Sequence, residues 1–103
     1  MKVAYPLAVE RTTFELGKRL ALARKARGFS QRDLAFTAGV GLSTVVGAEA
    51  GHPGVSIGNI FKLLDVLNLL HQVDSLLSPE LDPMITSAGV RALLPNEARR
   101  PSP

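Results

Sequence analysis

Glycine and serine punctuation confines this chain to short helices more tightly than any other feature of it. Gly28, Gly39 and Gly51 each close a run of apolar residues at helical spacing, and Ser30 and Ser56 open the runs that follow. Glycine ends a helix because it enters the left-handed conformation without a Cβ penalty, and serine starts one because its hydroxyl accepts a bond from a free first-turn amide. The stretch "TTFELGKRLALARKARG" predicts a first helix over about 13–27, with Thr12 and Glu15 at capping-box spacing and Leu16, Leu20 and Ala23 at i, i+4, i+7. A second, over about 31–38, places Asp33 at its positive end and carries Leu34, Ala35 and Ala38. After the turn Val40-Gly41, a third over 42–50 sets Val45 and Ala48 on one side. "GHPG" forces an irregular connection, because Pro53 has no amide to donate.

A fourth helix opens at Ser56, turns Ile57, Ile60, Phe61, Leu64 and Leu67 toward the core, and closes at Asn68. A fifth carries Leu70, Val73, Leu76 and Leu77 and stops before Pro79. No segment alternates with a period of two. The expected fold is therefore all-α: a five-helix domain over 12–78, an N-terminal extension over 1–11 and a mobile C-terminal tail over 79–103. Five prolines break that tail, and only 84–94, "MITSAGVRALL", could order within it.

Several function classes lack their chemistry here. The chain has no cysteine, so it offers neither a disulfide framework nor a thiolate metal site. His52 and His71 stand apart from any glutamate at ligand spacing, so neither a metal site nor an enzyme is expected, and no cofactor is implied. His52 in its turn is read as a solvated residue or a DNA-backbone contact, and His71 as a surface residue. "GVG" at 39–41 follows no strand and lacks the third glycine of a nucleotide-binding loop. No apolar run approaches the roughly 20 residues that cross a bilayer, and Met1 to Glu10 lacks the charged-then-apolar order of a signal peptide. A cytoplasmic protein with no membrane partner is expected.

The net charge of +3 conceals a division along the chain. Residues 1–32 carry eight basic side chains against two acidic ones, a surplus of +6, whereas residues 33–98 carry two against seven, a deficit of −5. A cationic first third favours a polyanionic partner, and nucleic acid ahead of a membrane surface, because no basic amphipathic helix with bulky aromatics is present.

The spacing between Gln31 and Glu49 gives that partner a geometry. Ala35 is small enough to sit at a helix crossing, Gly39 supplies a left-handed turn, and Val45 and Ala48 follow it by six and nine residues. That order describes a helix-turn-helix, although an ordinary helical hairpin satisfies the same spacing.

Over residues 13–78 the chain resembles the Xre/Cro-type helix-turn-helix family, the fold of phage repressors. The residues that carry the resemblance are "RKARGFSQRDLA", "GV" followed by "STV" and "EAG", and "VSIGNIFKLLDVLNL". The resemblance implies a structural ion pair between Arg24 and Glu49 and a phosphate contact from Gln31. It also implies a base-reading surface at Leu42, Ser43, Thr44, Val46 and Gly47. The chain departs from the pattern there, with Gly41 in place of a serine cap and Gly47 where a long polar side chain is common. Ser43 and Thr44 can still meet base edges, Leu42 and Val46 can pack on thymine methyls, and Gly47 and Ala50 would let the backbone approach DNA closely. Affinity is then expected to lean on phosphate contacts from Ser30, Gln31, Arg32, Lys25 and Arg27, and on the segment around Lys2, with DNA shape adding specificity.

The segment "GHPGVSIGNIFKLLDVLNLLHQVDSLLSPELDP" is similar to the same region of HipB-like antitoxins. That resemblance implies a homodimeric repressor of operator DNA that partners a HipA-type kinase toxin. A stand-alone regulator, or a protein-interaction module of the same fold that does not bind DNA, also fits. Dimerisation has separate support, because Leu63, Val66, Leu69 and Leu70 form a second apolar flank beside the core stripe. The alternative is that the fifth helix covers this flank.

Overall fold

The computed structural model describes residues 4–88. All regular structure among them is helical: α1 (Leu7–Ala26), α2 (Gln31–Ala38), α3 (Leu42–Glu49), α4 (Ile57–Val66), two 3₁₀ turns (Leu70–Ser75 and Pro79–Leu81) and α5 (Pro83–Ala88). The chain divides into two compact units, one ending at His71 and the other beginning at Gln72.

In the first unit α3 packs against both α1 and α2, and α4 closes the other side of α2 and α3. Leu34, Val45, Leu63 and Leu67 are completely buried, with Leu20, Ala35 and Ala48 beside them. Leu34, Ala35, Val45 and Ala48 are the positions that the helix-turn-helix spacing assigns to packing. Burying a leucine or valine of this kind contributes about 1.5–3 kcal/mol, and this burial holds α3 against both α1 and α2, and α2 against both α3 and α4.

The punctuation operates as expected in the middle of the chain. Ser30 accepts a bond from the Asp33 amide at 2.9 Å, and Asp33 accepts one from the Ser30 amide at 3.3 Å, a full capping box. Ser56 likewise caps α4 by accepting from the Asn59 amide at 3.1 Å. Gly28, Gly39 and Gly51 have φ of 75°, 69° and 81°, and Asn68 closes α4 at 61°.

The ends of the fold depart from expectation. α1 begins at Leu7 rather than near residue 13, so much of the expected extension is helix. Pro6 supplies the start, because its fixed φ suits a helix entrance. Thr12 is therefore interior, and Thr13 turns its hydroxyl back to donate to the Glu10 carbonyl at 3.0 Å. Leu16 and Ile57, expected in the core, are 41% and 70% exposed.

The fifth helix over Leu70–Leu77 forms only in part, and as a 3₁₀ helix rather than an α-helix. A six-residue 3₁₀ turn stands at Leu70–Ser75, Leu77 takes a left-handed φ of 58°, and Leu76 and Leu77 are 68% and 94% exposed. Pro79 restricts only Ser78; the earlier break goes with the lack of apolar cover for Leu76 and Leu77. In the second unit α5 packs on the Pro79–Leu81 turn, and the Met84 amide donates to Asp82 Oδ1 at 2.9 Å. α5 lies within the expected tail and overlaps 84–94; the remainder of that stretch, the last fifteen residues and Lys2 lie outside the described residues.

Candidate nucleic-acid interface

A buried charge network fixes the angle of α3. Arg24 on α1 donates through Nε and Nη2 to the two carboxylate oxygens of Glu49 at 2.6 and 2.9 Å, a bidentate pair whose side chains are 9% and 7% exposed. Its Nη1 donates to the Phe29 carbonyl at 2.8 Å, which ties the α1–α2 turn into the same cluster. The guanidinium is held above its ordinary range, first by the hydrogen bond to Glu49, with burial opposing and the Glu49 charge adding to the rise. A raised cationic pKa contributes stability that is complete below the unfolded value and lost only as pH climbs through the folded one. Arg24 thus gives no pH dependence in ordinary buffers.

Gln31 joins the network, donating from Nε2 to Glu49 Oε1 at 3.0 Å. Its side chain is turned inward across α3 as well as lying at the α2 N-terminus where a phosphate was expected. One amide N–H and the backbone N–H at this first helical position remain as donors. Ser30 spends its acceptor on the cap, and the Asp33 carboxylate already stands at the positive end of α2. Arg27 donates from Nη1 to the Ala23 carbonyl at 2.9 Å and so also caps α1. Lys25, Arg27 and Arg32 are exposed, and among the described residues none has a carboxylate within ion-pair distance.

The outward surface of α3 is small and bland. Leu42 and Val46 are 37% and 44% exposed, Ser43 is exposed and Thr44 is half-buried. Gly47 is a correction: the sequence suggested open space for close DNA approach, but the residue is buried. A Cβ placed on it would lie 3.4 Å from His52 Nδ1 and 3.6 Å from Val55 Cγ2, so the following loop covers it. Ser43, Thr44, Gly47 and His52 line one open groove with Ser56 and Asn59.

Leu63 is a second correction. It belongs to the core of the monomer with no exposed surface, because the pitch of α4 turns it toward Leu34 and Leu67 rather than onto a free flank. Val66 and Leu69 pack partly against that core, and Leu70 is 37% exposed.

Two glycines position α3 through close contacts that the sequence reading did not assign to them. Gly17 lies where α1 crosses the C-terminal end of α3, and a Cβ there would meet the Ala48 and Glu49 carbonyl oxygens at 2.6 and 2.7 Å. Gly51, read only as a stop, also passes so close to α1 that a Cβ would lie 2.5 Å from Phe14 Cα. An isolated glycine inside a helical pattern was the available signal for Gly17.

The helix-turn-helix family profile matches residues 20–71, from the middle of α1 through the end of α4 and into the turn after it. The chain is 37% identical over 57 residues to an uncharacterized HTH-type transcriptional regulator, y4mF, of Sinorhizobium fredii; the match covers 55% of this chain and 75% of that protein. No solved structure matches the chain significantly. With the α2–α3 packing and the Arg24–Glu49 pair, these likenesses place the chain in the Xre/Cro-type helix-turn-helix family, to which it belongs.

Proposed function

We propose that this protein is a DNA-binding transcriptional regulator that lays α3 in the major groove of an operator. The observation that carries the reading is the fixed, outward presentation of Leu42, Ser43 and Val46 on a helix locked from behind by the Arg24–Glu49–Gln31 network. The basic surplus of residues 1–32 and the exposed Lys25, Arg27 and Arg32, which have no ion-pair partner among the described residues, support an anionic partner. Because α3 offers no bidentate base contact, most of the affinity comes from phosphates. A gel-shift titration against the promoter of its own operon, run at several salt concentrations, tests this. Six to ten phosphate contacts per complex would cost about 10³–10⁵ in affinity between 50 and 200 mM salt, and a flat response refutes the mechanism.

The finer reading is a repressor acting as a homodimer, with two copies of α3 spaced roughly 34 Å apart. With Leu63 removed to the core, the dimer flank reduces to Val66, Leu69 and Leu70. The similarity of "GHPGVSIGNIFKLLDVLNLLHQVDSLLSPELDP" to HipB-like antitoxins favours a HipA-type kinase toxin as partner. Co-purification of a kinase encoded beside this chain would support that partner, and operator binding without such a neighbour would favour a stand-alone regulator.

A further inference from the structure

We infer that His52, in the loop after α3, is a base-reading residue that supplies the polar group α3 itself lacks, and that it takes a purine acceptor in the major groove. This rests on the DNA-binding reading above. On a helix, residues four apart stand one above the other, so Ser43 and Gly47 share a single stripe of α3. Ser43 is exposed at the N-terminal end of that stripe, and Gly47 leaves the next place without a side chain. The His52 imidazole fills it, with Nδ1 3.4 Å from where a Gly47 Cβ would be.

The placement is anchored at the backbone. The His52 amide donates to the Gly47 carbonyl at 3.0 Å, and the Val55 amide donates back to the His52 carbonyl at 3.4 Å, so the loop folds onto the helix end. His52 is exposed nonetheless, and it shares the open groove with Ser43, Thr44 and Asn59. An imidazole presents an N–H donor toward such a groove, and purine N7 and guanine O6 are the acceptors that the major groove offers it. A side chain longer than a methyl at residue 47 would compete for this space. The bare glycine and the histidine five residues later are thus two halves of one reading position.

Selection of sites from a random double-stranded DNA pool by the full chain tests the inference, with His52→Ala, His52→Gln, Gly47→Ala and Ser43→Ala run in parallel and each variant's fold checked by circular dichroism. The wild-type protein is expected to enrich a site with a purine-selective position. His52→Ala should lose selection at that position alone and lower the ratio of selected-site to random-DNA affinity by about 10-fold, the scale of one base contact. His52→Gln, which keeps a donor, should retain a purine there. Gly47→Ala, whose methyl would rest in ordinary contact with the ring at 3.4 Å, should keep the purine at that position, and Ser43→Ala should alter a neighbouring one. If His52→Ala selects the same bases at every position, or weakens all sequences equally, the base-reading role is overturned while DNA binding stands. If the wild-type chain enriches no sequence at all, the sequence-reading function fails, and this inference fails with it.

Discussion

Replacing Gly17 with alanine tests the placement of α3 most sharply, because two physical effects of opposite sign compete at that position. Alanine is better than glycine in a helix by about 1 kcal/mol, so on propensity alone Gly17→Ala should stabilise the 20-residue α1. The new methyl would stand 2.6 and 2.7 Å from the Ala48 and Glu49 carbonyl oxygens, atoms of the α3 backbone that have no rotamer to retreat into. To restore ordinary contact at 3.4 Å, α1 and α3 must part by roughly 0.8 Å. Overpacking of this kind costs typically about 1–3 kcal/mol, and contact with two backbone oxygens belongs at the upper end. The net expectation is a loss of about 1–2 kcal/mol, or a fall in Tm of about 5–15 °C for a domain of this size. Gly58→Ala is the control: it lies in the first turn of α4 with nothing within 4 Å of its added Cβ, and should gain about 0.4–1 kcal/mol. Thermal and urea denaturation followed by circular dichroism reads both. A Gly17→Ala protein as stable as the wild type would refute the close crossing of α1 and α3.

Other expectations follow from the same contacts. Glu49→Ala leaves the buried Arg24 guanidinium and the Gln31 amide without their acceptor and should cost about 3–5 kcal/mol in urea unfolding, whereas Arg24→Met combined with Glu49→Met should recover most of it. Gln31→Ala should lose about 1 kcal/mol of stability and weaken all DNA sequences alike, since it removes a network bond and a phosphate donor; Ser43→Ala should instead change which sequence is preferred, and uniform loss from both would show that Ser43 reads no base. Leu63→Ala should cost about 2–5 kcal/mol of folding stability at any protein concentration, while Leu70→Asp should leave the fold intact and shift the monomer–dimer balance measured by sedimentation.

What the sequence could disclose depended on how local the determining physics is. The α2–α3 unit was legible because its determinants lie within a few residues of one another: a Ser30–Asp33 cap, a left-handed Gly39, and apolar positions one face wide. α1 was misread at its start because two competing signals, the Thr12–Glu15 spacing and Pro6, can each open a helix; the first turns from Leu7 to Thr12 are exposed, so no apolar face in the sequence marked them as helical. The segment after Asn68 reads as a helix by its leucine spacing alone. Leu76 and Leu77 find no core to join, so periodicity there had nothing to pack against. The contacts at Gly17 and Gly51, and the meeting of Gly47 with His52, were out of reach for a related reason. Each depends on where two segments come to lie, and an absent side chain signals close approach only once its neighbour is known.

This last property bears on how so short a reading helix can work. α3 has eight residues, and its inward positions are committed: Val45 and Ala48 to the core, Glu49 to Arg24. A helix of little more than two turns then has only Leu42, Ser43 and Val46 exposed, with Thr44 half-covered. None of the four carries a side chain long enough for a bidentate base contact. On the proposed reading, groups beside the helix must then contribute: Gln31 and Arg32 at the start of α2 toward phosphates, and His52, folded back over Gly47, toward a base edge. Because Gln31 and His52 are held on α3, by Glu49 and by Gly47, and α3 is itself held by its crossing with α1, a disturbance of that crossing at Gly17 should degrade sequence preference even where α3 itself stays helical.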